Sequence, residues 1–301
     1  TLSYDSNGGM QYKDERYVRN TVVQLDKVPT REGYTFTGWY ADKELTQAIT
    51  EIKMTSNKTV YAGWEETDVP GMLNGEDHYA YVVGYEDGTV RPDGNISRAE
   101  VATIFFRMLT DESRNAYWSQ SNSFTDVAAD AWYNNAISTM ANAGILDGYE
   151  DGSFHPNGYI TRAEFAVIAA RFFDMDYQGE DLFPDIDGHW AQDYINQAAE
   201  DGFIEGYPDG TFGPDKYITR AEAVTLVNRT LDRHPDPDHF LEDMLVWPDN
   251  LDTKAWYYAD MQEATNSHAF KHKTGNYETW TGMNKTPTGP CLLYTSPSPR
   301  D

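Results

Sequence analysis

Three arginines stand in the same chemical setting. Arg98, Arg162 and Arg220 each follow a Ser or Thr by one position and precede a Glu by two. The Ser/Thr-x-x-Glu spacing is that of a capping box, in which the hydroxyl accepts the N3 backbone N–H and the Glu reaches back to the cap. Helix initiation therefore accounts for Ser97, Thr161 and Thr219, and for Glu100, Glu164 and Glu222. It does not account for the arginines. They fall at the first helical position, where the dipole disfavours a cation by about 0.3–1 kcal/mol. A placement against the field, made three times, requires a partner. One candidate is a ligand. The other is a salt bridge to the loop carboxylates Asp87, Asp151 and Asp209, and the two are compatible.

These residues belong to a longer repeat. Segments 84–100 (GYEDGTVRPDGNISRAE), 148–164 (GYEDGSFHPNGYITRAE) and 206–222 (GYPDGTFGPDKYITRAE) align without gaps at offsets of 64 and 58 residues. Asp-Gly at 87–88, 151–152 and 209–210 is a tight-turn signal in which Gly supplies positive φ. Ile96, Ile160 and Ile218 precede the caps, placed to staple onto Val101, Phe165 and Ala223. Helical spacing follows each cap, as in Val101, Ile104, Phe105, Met108 and Leu109.

A second half-motif leads two of the units. Phe124-Thr-Asp126 runs to Trp132, and Phe183-Pro-Asp185 to Trp190. From each Trp a helical apolar stripe begins (Trp132, Tyr133, Ala136, Ile137, Met140, Ala141; Trp190, Ala191, Tyr194, Ile195, Ala198, Ala199), which predicts one buried face including the Trp. Gly144 and Gly202 are placed as C′ residues, and Ile145-Leu146 and Phe203-Ile204 predict short strands into the turn. The first unit lacks a leading half. A third one stands downstream instead, at Trp247-Pro-Asp249 and Trp256, with no turn motif after it. Residues 246–265 are therefore expected to complete the first unit from the far end.

Composition and motif absences narrow the function. The chain has 301 residues and a net charge of −26, and residues beyond 67 carry 15 Lys+Arg against 39 Asp+Glu. A field of that sign repels nucleic acid and anionic lipid, so an anionic partner must be held by a few well-placed basic groups. No apolar run reaches the length of a membrane span. Cys291 is the single cysteine, so neither an intrachain disulfide nor a thiolate metal cluster is available. GxSxG, a phosphate loop and HExxH are absent, and the acidic residues that recur are occupied in turns and caps. His268 and His272 lack the intervening Glu of a metalloprotease helix and read as a solvated loop. Asp185-Ile-Asp187-Gly lacks the full ligand series of a calcium loop. No catalytic residue, metal site or cofactor is expected.

Segment 1–66 differs. Asn7-Gly8-Gly9 is a turn signal, Thr59–Trp64 reads as a closing strand, and PTREGYTFTGWY (29–40) alternates aromatics with small turn residues. Residues 67–78 read as a polar Pro/Gly linker. The units follow as 79–123, 124–182 and 183–240, with 241–270 as the displaced leading half. Residues 271–301 read as a tail, of which 291–301 resemble a translated sequencing-adapter artefact. The chain opens on Thr1 inside a motif, as a fragment of a longer exported protein would.

Two resemblances follow from these motifs. The YDSNGG…PTREGYTFTGWY…TVYAGW combination resembles the internalin-type B repeat, also called the Listeria-Bacteroides repeat, and implies a small β-rich, β-grasp-like spacer or adhesion module. FxD…W…G…GYxDGTFxP…ITRAE resembles the S-layer homology domain. That resemblance implies a modular, mainly α architecture: a pseudo-threefold, three-lobed helical bundle with short β-hairpin elements. It also implies extracellular, non-covalent anchoring to the cell wall through secondary cell-wall polysaccharide, often pyruvylated, with other S-layer subunits as further partners. The pyruvyl carboxylate is an anion that a guanidinium grips with two parallel hydrogen bonds, beside N–H donors of the helix N-terminus. The glycan-binding residues implied are Arg98, Arg162 and Arg220, then Asp87, Asp151 and Asp209, Tyr85, Tyr149 and Tyr207, and Trp132 and Trp190. Val90, where the other copies have Phe154 and Phe212, marks the first groove as the weaker one. Alternative readings are an acidic surface module for divalent cations or other surface proteins, and the non-catalytic part of a wall-anchored glycan-degrading enzyme.

Overall fold

The computed structural model describes residues 1–29, 31, 34–66, 69–272 and 277–285; the adapter-like segment 291–301 lies outside them. The chain divides into two compact units, Thr1–Val69 and Pro70–Asp301.

The first unit is built from strands β1 (Leu2–Asp5), β2 (Val22–Gln24), β3 (Tyr34–Tyr40), β4 (Ala48–Ile49), β5 (Glu51–Lys53) and β6 (Lys58–Glu66). The main sheet has the order β1-β6-β3-β4, and β2 pairs with β5 separately. β6, the closing strand expected at 59–64, is central. It runs parallel to β1 and antiparallel to β3, with a register shift at Phe36/Gly38. The alternation expected of strands buries Leu2, Tyr4, Val60, Ala62 and Trp39 on one face. Trp39 meets Tyr4 edge-on at 5.2 Å and donates its indole N–H to Lys27 O, so the ring is both packed and satisfied.

The second unit contains seven helices among the described residues: α1 (Arg98–Met108), α2 (Asp111–Tyr117), α3 (Asn134–Asn142), α4 (Arg162–Ala170), α5 (Gln192–Glu200), α6 (Arg220–Thr230) and α7 (Tyr258–Thr265). A hairpin, β7 (His268–His272) with β8 (Glu278–Met283), follows them. Capping boxes open α1, α4 and α6 at Ser97, Thr161 and Thr219, as their spacing predicts. Gly144 and Gly202 end α3 and α5 with φ of 75° and 76°, the left-handed geometry that favours Gly at C′. α3 packs along α1, α5 along α4, and α7 along α6.

The residues before the caps hold the copies together in a ring. Ile160 N donates to Ile96 O, Ile218 N to Ile160 O, and Ile96 N to Ile218 O, at 3.1–3.2 Å. All three isoleucines are fully buried. The otherwise orphaned first N–H groups of each capped helix also find partners on another copy: Arg98 N on Gly158 O, Arg162 N on Lys216 O, and Arg220 N on Gly94 O.

The far end supplies what the first copy lacks. Asp126 accepts from Phe154 N and His155 N, and Asp185 from Phe212 N and Gly213 N. Asp249 accepts from Val90 N and Arg91 N in the same way. A Cβ on Gly148 or Gly206 would meet the ring of Phe124 or Phe183 at 2.6 and 2.5 Å, and one on Gly84 would meet Trp247 at 2.1 Å. Trp247-Pro-Asp249 therefore seats against the first turn as its two counterparts seat against theirs.

Four expectations are corrected. Ile145-Leu146 and Phe203-Ile204 are buried but join no ladder: their N–H groups turn back to Met140 O and Ala198 O at the ends of α3 and α5. The segment read as a linker belongs to the second unit from Pro70 onward: Leu73 is buried, and Asn74 N donates to Met108 O. The leading helices α3 and α5 begin after the tryptophans, so Trp190 is 64% exposed and Trp132 half-buried instead of core. His268 is no solvated loop residue: it opens β7 and is 1% exposed.

Candidate functional site between the repeats

Each arginine has found its partner on another copy of the repeat. Arg98 donates from Nη1 to Glu164 Oε1 at 2.7 Å, from Nε to Phe154 O, and from Nη2 to Asp147 O. Arg162 repeats this with Glu222, Phe212 O and Glu205 O. Arg220 closes the ring with Glu100 at 2.7 Å and Val90 O. The three guanidinium groups are 4–7% exposed as residues. The helix dipole is outweighed by a partly buried carboxylate and by backbone carbonyls, which the sequence spacing does not reveal.

The same glutamates serve two elements at once. Glu100 Oε2 accepts from Ser97 N within the capping box, while Oε1 accepts from both Arg220 and Tyr85. Glu164 divides its oxygens between Thr161 N and the pair Arg98 and Tyr149. Glu222 does so between Thr219 N and the pair Arg162 and Tyr207. The guanidinium carbons lie 4.5–4.9 Å from the Tyr149, Tyr207 and Tyr85 ring centroids, within cation–π range. Burial, with the Glu100 carboxylate opposing the pull of Arg220, pushes the Tyr85 phenol up to about 12. Burial and the bond to Glu164 push Tyr149 up to about 12 as well. Both phenols are neutral donors at physiological pH.

The loop aspartates are not the arginines' partners. Asp87, Asp151 and Asp209 are exposed and fold back on the hydroxyl and N–H of Thr89, Ser153 and Thr211. Asp87 also pairs with Arg91 at 2.9 Å. The Thr89 hydroxyl, then Arg91 and the Thr89 N–H, pull the Asp87 carboxyl down to about 2. These residues shape the turns, in the manner of Asx turns.

Trp132 does meet an arginine, but not the one in its own repeat. It lines a shallow pocket with Arg220, Glu100, Arg107 and Val82–Val83. Burial of its head group lowers the Arg107 pKa to about 10, so it stays charged at neutral pH. Arg107 donates to Tyr81 O and Arg171 to Ile145 O. Arg171, just past the end of α4, and Arg229, in α6, stand at the matching place nine residues after the capped arginine. This second arginine series was missed in the motif, although the common spacing from Arg98, Arg162 and Arg220 contains it. Trp256, the counterpart of Trp132 and Trp190, is 63% exposed ahead of α7.

The pocket therefore combines a half-exposed indole face, a buried guanidinium already held by protein, a carboxylate and a second arginine. Arg98 and Arg162 each spend three of five N–H donors on protein, leaving hydrogens on Nη1 and Nη2.

Two known protein families match these segments. Residues 79–102, 123–166 and 182–224 match the S-layer homology domain, and residues 1–63 match the Listeria-Bacteroides repeat domain. The chain carries both: an S-layer homology region in three segments, preceded by a Listeria-Bacteroides repeat. It is 39% identical over 219 residues to cell surface glycoprotein 1 of Acetivibrio thermocellus, covering 68% of this chain and 9% of that protein. It is 36% identical over 210 residues to a cellulosome-anchoring protein of the same organism, covering 68% of this chain and 46% of the relative. An amylopullulanase of Thermoanaerobacterium thermosulfurigenes is 33% identical over 161 residues, covering 50% of this chain and 8% of the enzyme. The chain thus spans less than half the length of each of these relatives.

Proposed function

We propose that this chain is the non-catalytic, wall-binding part of an exported bacterial surface protein, which it anchors non-covalently by gripping an anionic cell-wall polysaccharide between its repeats. The observation that carries the reading is the junction pocket, where Trp132 from one repeat faces Arg220 and Glu100, which join two others. The relatives support it: a surface glycoprotein, an anchoring protein and an amylopullulanase share this region and little else by name. A region common to such different proteins serves their attachment better than their chemistry.

The cyclic contacts support a pseudo-threefold, three-lobed bundle with one groove per junction. By the repeat, Trp190 then belongs with Arg98 and Glu164, and Trp256 with Arg162 and Glu222. A pyruvylated polymer supplies the carboxylate that the arginines attract, and several grooves on one polymer add avidity to modest single-site affinity. The loop aspartates act through turn shape. The mixed sheet of the first unit suits a β-grasp-like spacer. The site of action is the outer face of the cell wall, beside other S-layer subunits.

The test is retention on purified walls, before and after mild acid removal of ketal-linked pyruvate, using Trp132→Ala, Trp190→Ala and Trp256→Ala. These side chains are exposed enough to change without unfolding the bundle. Binding that falls on ketal removal and drops tenfold or more in the triple variant supports the reading. Undiminished binding by the triple variant would sink the groove assignment, and no wall binding by the unaltered chain would sink the anchoring function.

A further inference from the structure

At one end of the second unit four metal-binding side chains converge in the interior. His78, Glu263, His268 and Glu278 each offer one ligand atom, and these atoms lie within 4.8 Å of one another. The four residues are 0–3% exposed. His78 comes from the segment before the first repeat, Glu263 from α7, His268 from β7 and Glu278 from β8. No spacing motif links them, which is why the sequence hides them.

The geometry is hard to satisfy with protons alone. His78 Nδ1 lies 2.8 Å from Glu263 Oε1, 3.3 Å from Glu278 Oε2 and 3.2 Å from His268 Nε2. One ring nitrogen carries at most one hydrogen and cannot serve three partners. His268 Nδ1 lies 3.0 Å from Asn266 O, which accepts its hydrogen and leaves the Nε2 lone pair facing Glu263 Oε2 at 3.3 Å. A lone pair facing a carboxylate oxygen is repulsive unless a proton on the carboxyl or a metal cation lies between them. Glu263 Oε2 and Glu278 Oε2 are buried without a hydrogen bond. Arg233 reaches Glu263 at 3.4 Å and contributes one positive charge opposite two carboxylates.

We propose that His78 Nδ1, His268 Nε2, Glu263 and Glu278 form a structural site for one divalent transition-metal ion, zinc fitting best. Zinc takes four N or O ligands at about 2.0–2.2 Å, which places ligand atoms about 3.4 Å apart; the ligand atoms here start from 2.8 Å and lie within 4.8 Å of one another, so small shifts would seat the ion. The carbonyl of Asn266 fixes the His268 tautomer as outer partners of ligating histidines do. Phe270 stacks on His78 at 3.7 Å and Trp280 on His268 at 3.9 Å, a dry aromatic wall. With all four ligands buried among the described residues, the ion clips the segment at 78 and strands β7 and β8 to α7. It is structural, not catalytic.

The experiment uses the full chain, purified without a histidine tag and incubated with equimolar zinc, then dialysed. Elemental analysis is expected to find about one zinc per chain. His268→Gln and Glu278→Gln are expected to retain at least tenfold less, and His189→Gln, a residue elsewhere, the same as the unaltered chain. In case the ligand variants do not fold, cobalt loaded into the unaltered chain reports the site by itself through a tetrahedral visible spectrum. A natively folded chain that holds no metal, metal retained equally by the ligand variants, or an octahedral cobalt spectrum would overturn the proposal.

Discussion

Arg220 and Glu100 stand 120 residues apart in the chain and 2.7 Å apart in space. The pair joins the last capped helix to the first, and Arg98–Glu164 and Arg162–Glu222 join the others. Each guanidinium sits on a neighbouring copy's glutamate, and that glutamate is also its own helix's cap. Local folding and assembly of the ring therefore draw on one side chain.

Truncating one member should be costly. Arg162→Ala leaves Glu222 partly buried without its cation and two backbone carbonyls without donors. Breaking such a buried pair costs about 3–5 kcal/mol, read as a lower urea midpoint of the second unit. Glu222→Ala should cost as much, and the double variant less than the sum.

The far-end segment is expected to be as important to the first copy as the internal leading halves are to theirs. Asp249→Ala strips the acceptor from Val90 N and Arg91 N, where Val90 is fully buried. About 1–3 kcal/mol should be lost. Hydrogen exchange at the Val90 amide should accelerate, although that amide precedes the substitution by 159 residues.

Gly84 admits no side chain while Trp247 is present, since a Cβ would stand 2.1 Å from the ring and 3.0 Å from Thr89 O. Gly84→Ala should lower the melting temperature. Adding Trp247→Leu should recover part of the loss, because the ring, and not the backbone conformation, is the main obstacle.

Acid should loosen the third turn through Asp185. Desolvation pushes its carboxyl upward, but the Phe212 and Gly213 N–H groups together outweigh it and bring the pKa below the ordinary 3.8. A carboxyl lowered in the folded state stabilises fully above its unfolded pKa, and that contribution disappears as pH falls through the folded value. Stability should therefore decline below about pH 4, and Asp185→Asn should flatten that part of the pH profile. An unchanged profile in thermal melts would contradict the assignment.

What the sequence discloses and what it hides divide by range. Capping boxes, Asp-Gly turns and C′ glycines act over a few residues, so Ser97, Gly144 and their counterparts could be read directly. Trp247-Pro-Asp249 was recognisable only because the repeat supplied a template for it. The partners of the arginines were hidden because local rules already explained Glu100, Glu164 and Glu222, and a second oxygen leaves no trace in spacing. α2 escaped notice because Thr110, whose hydroxyl accepts from Ser113 N, opens a helix outside the repeated pattern. The tryptophans looked like the first residues of the buried stripe, but the helices start two positions later and turn the indoles outward.

The ring of isoleucine hydrogen bonds also settles a question of number. Open stacks of repeats extend at their ends, and a duplicated copy finds a ready surface on which to grow. Here Ile96, Ile160 and Ile218 already use one another, and Asp249 already caps the turn of the first copy. A fourth copy would have no seat without breaking a junction. Growth in such a protein must occur outside the ring, by appending modules such as the one at residues 1–63, while the count within it stays at three.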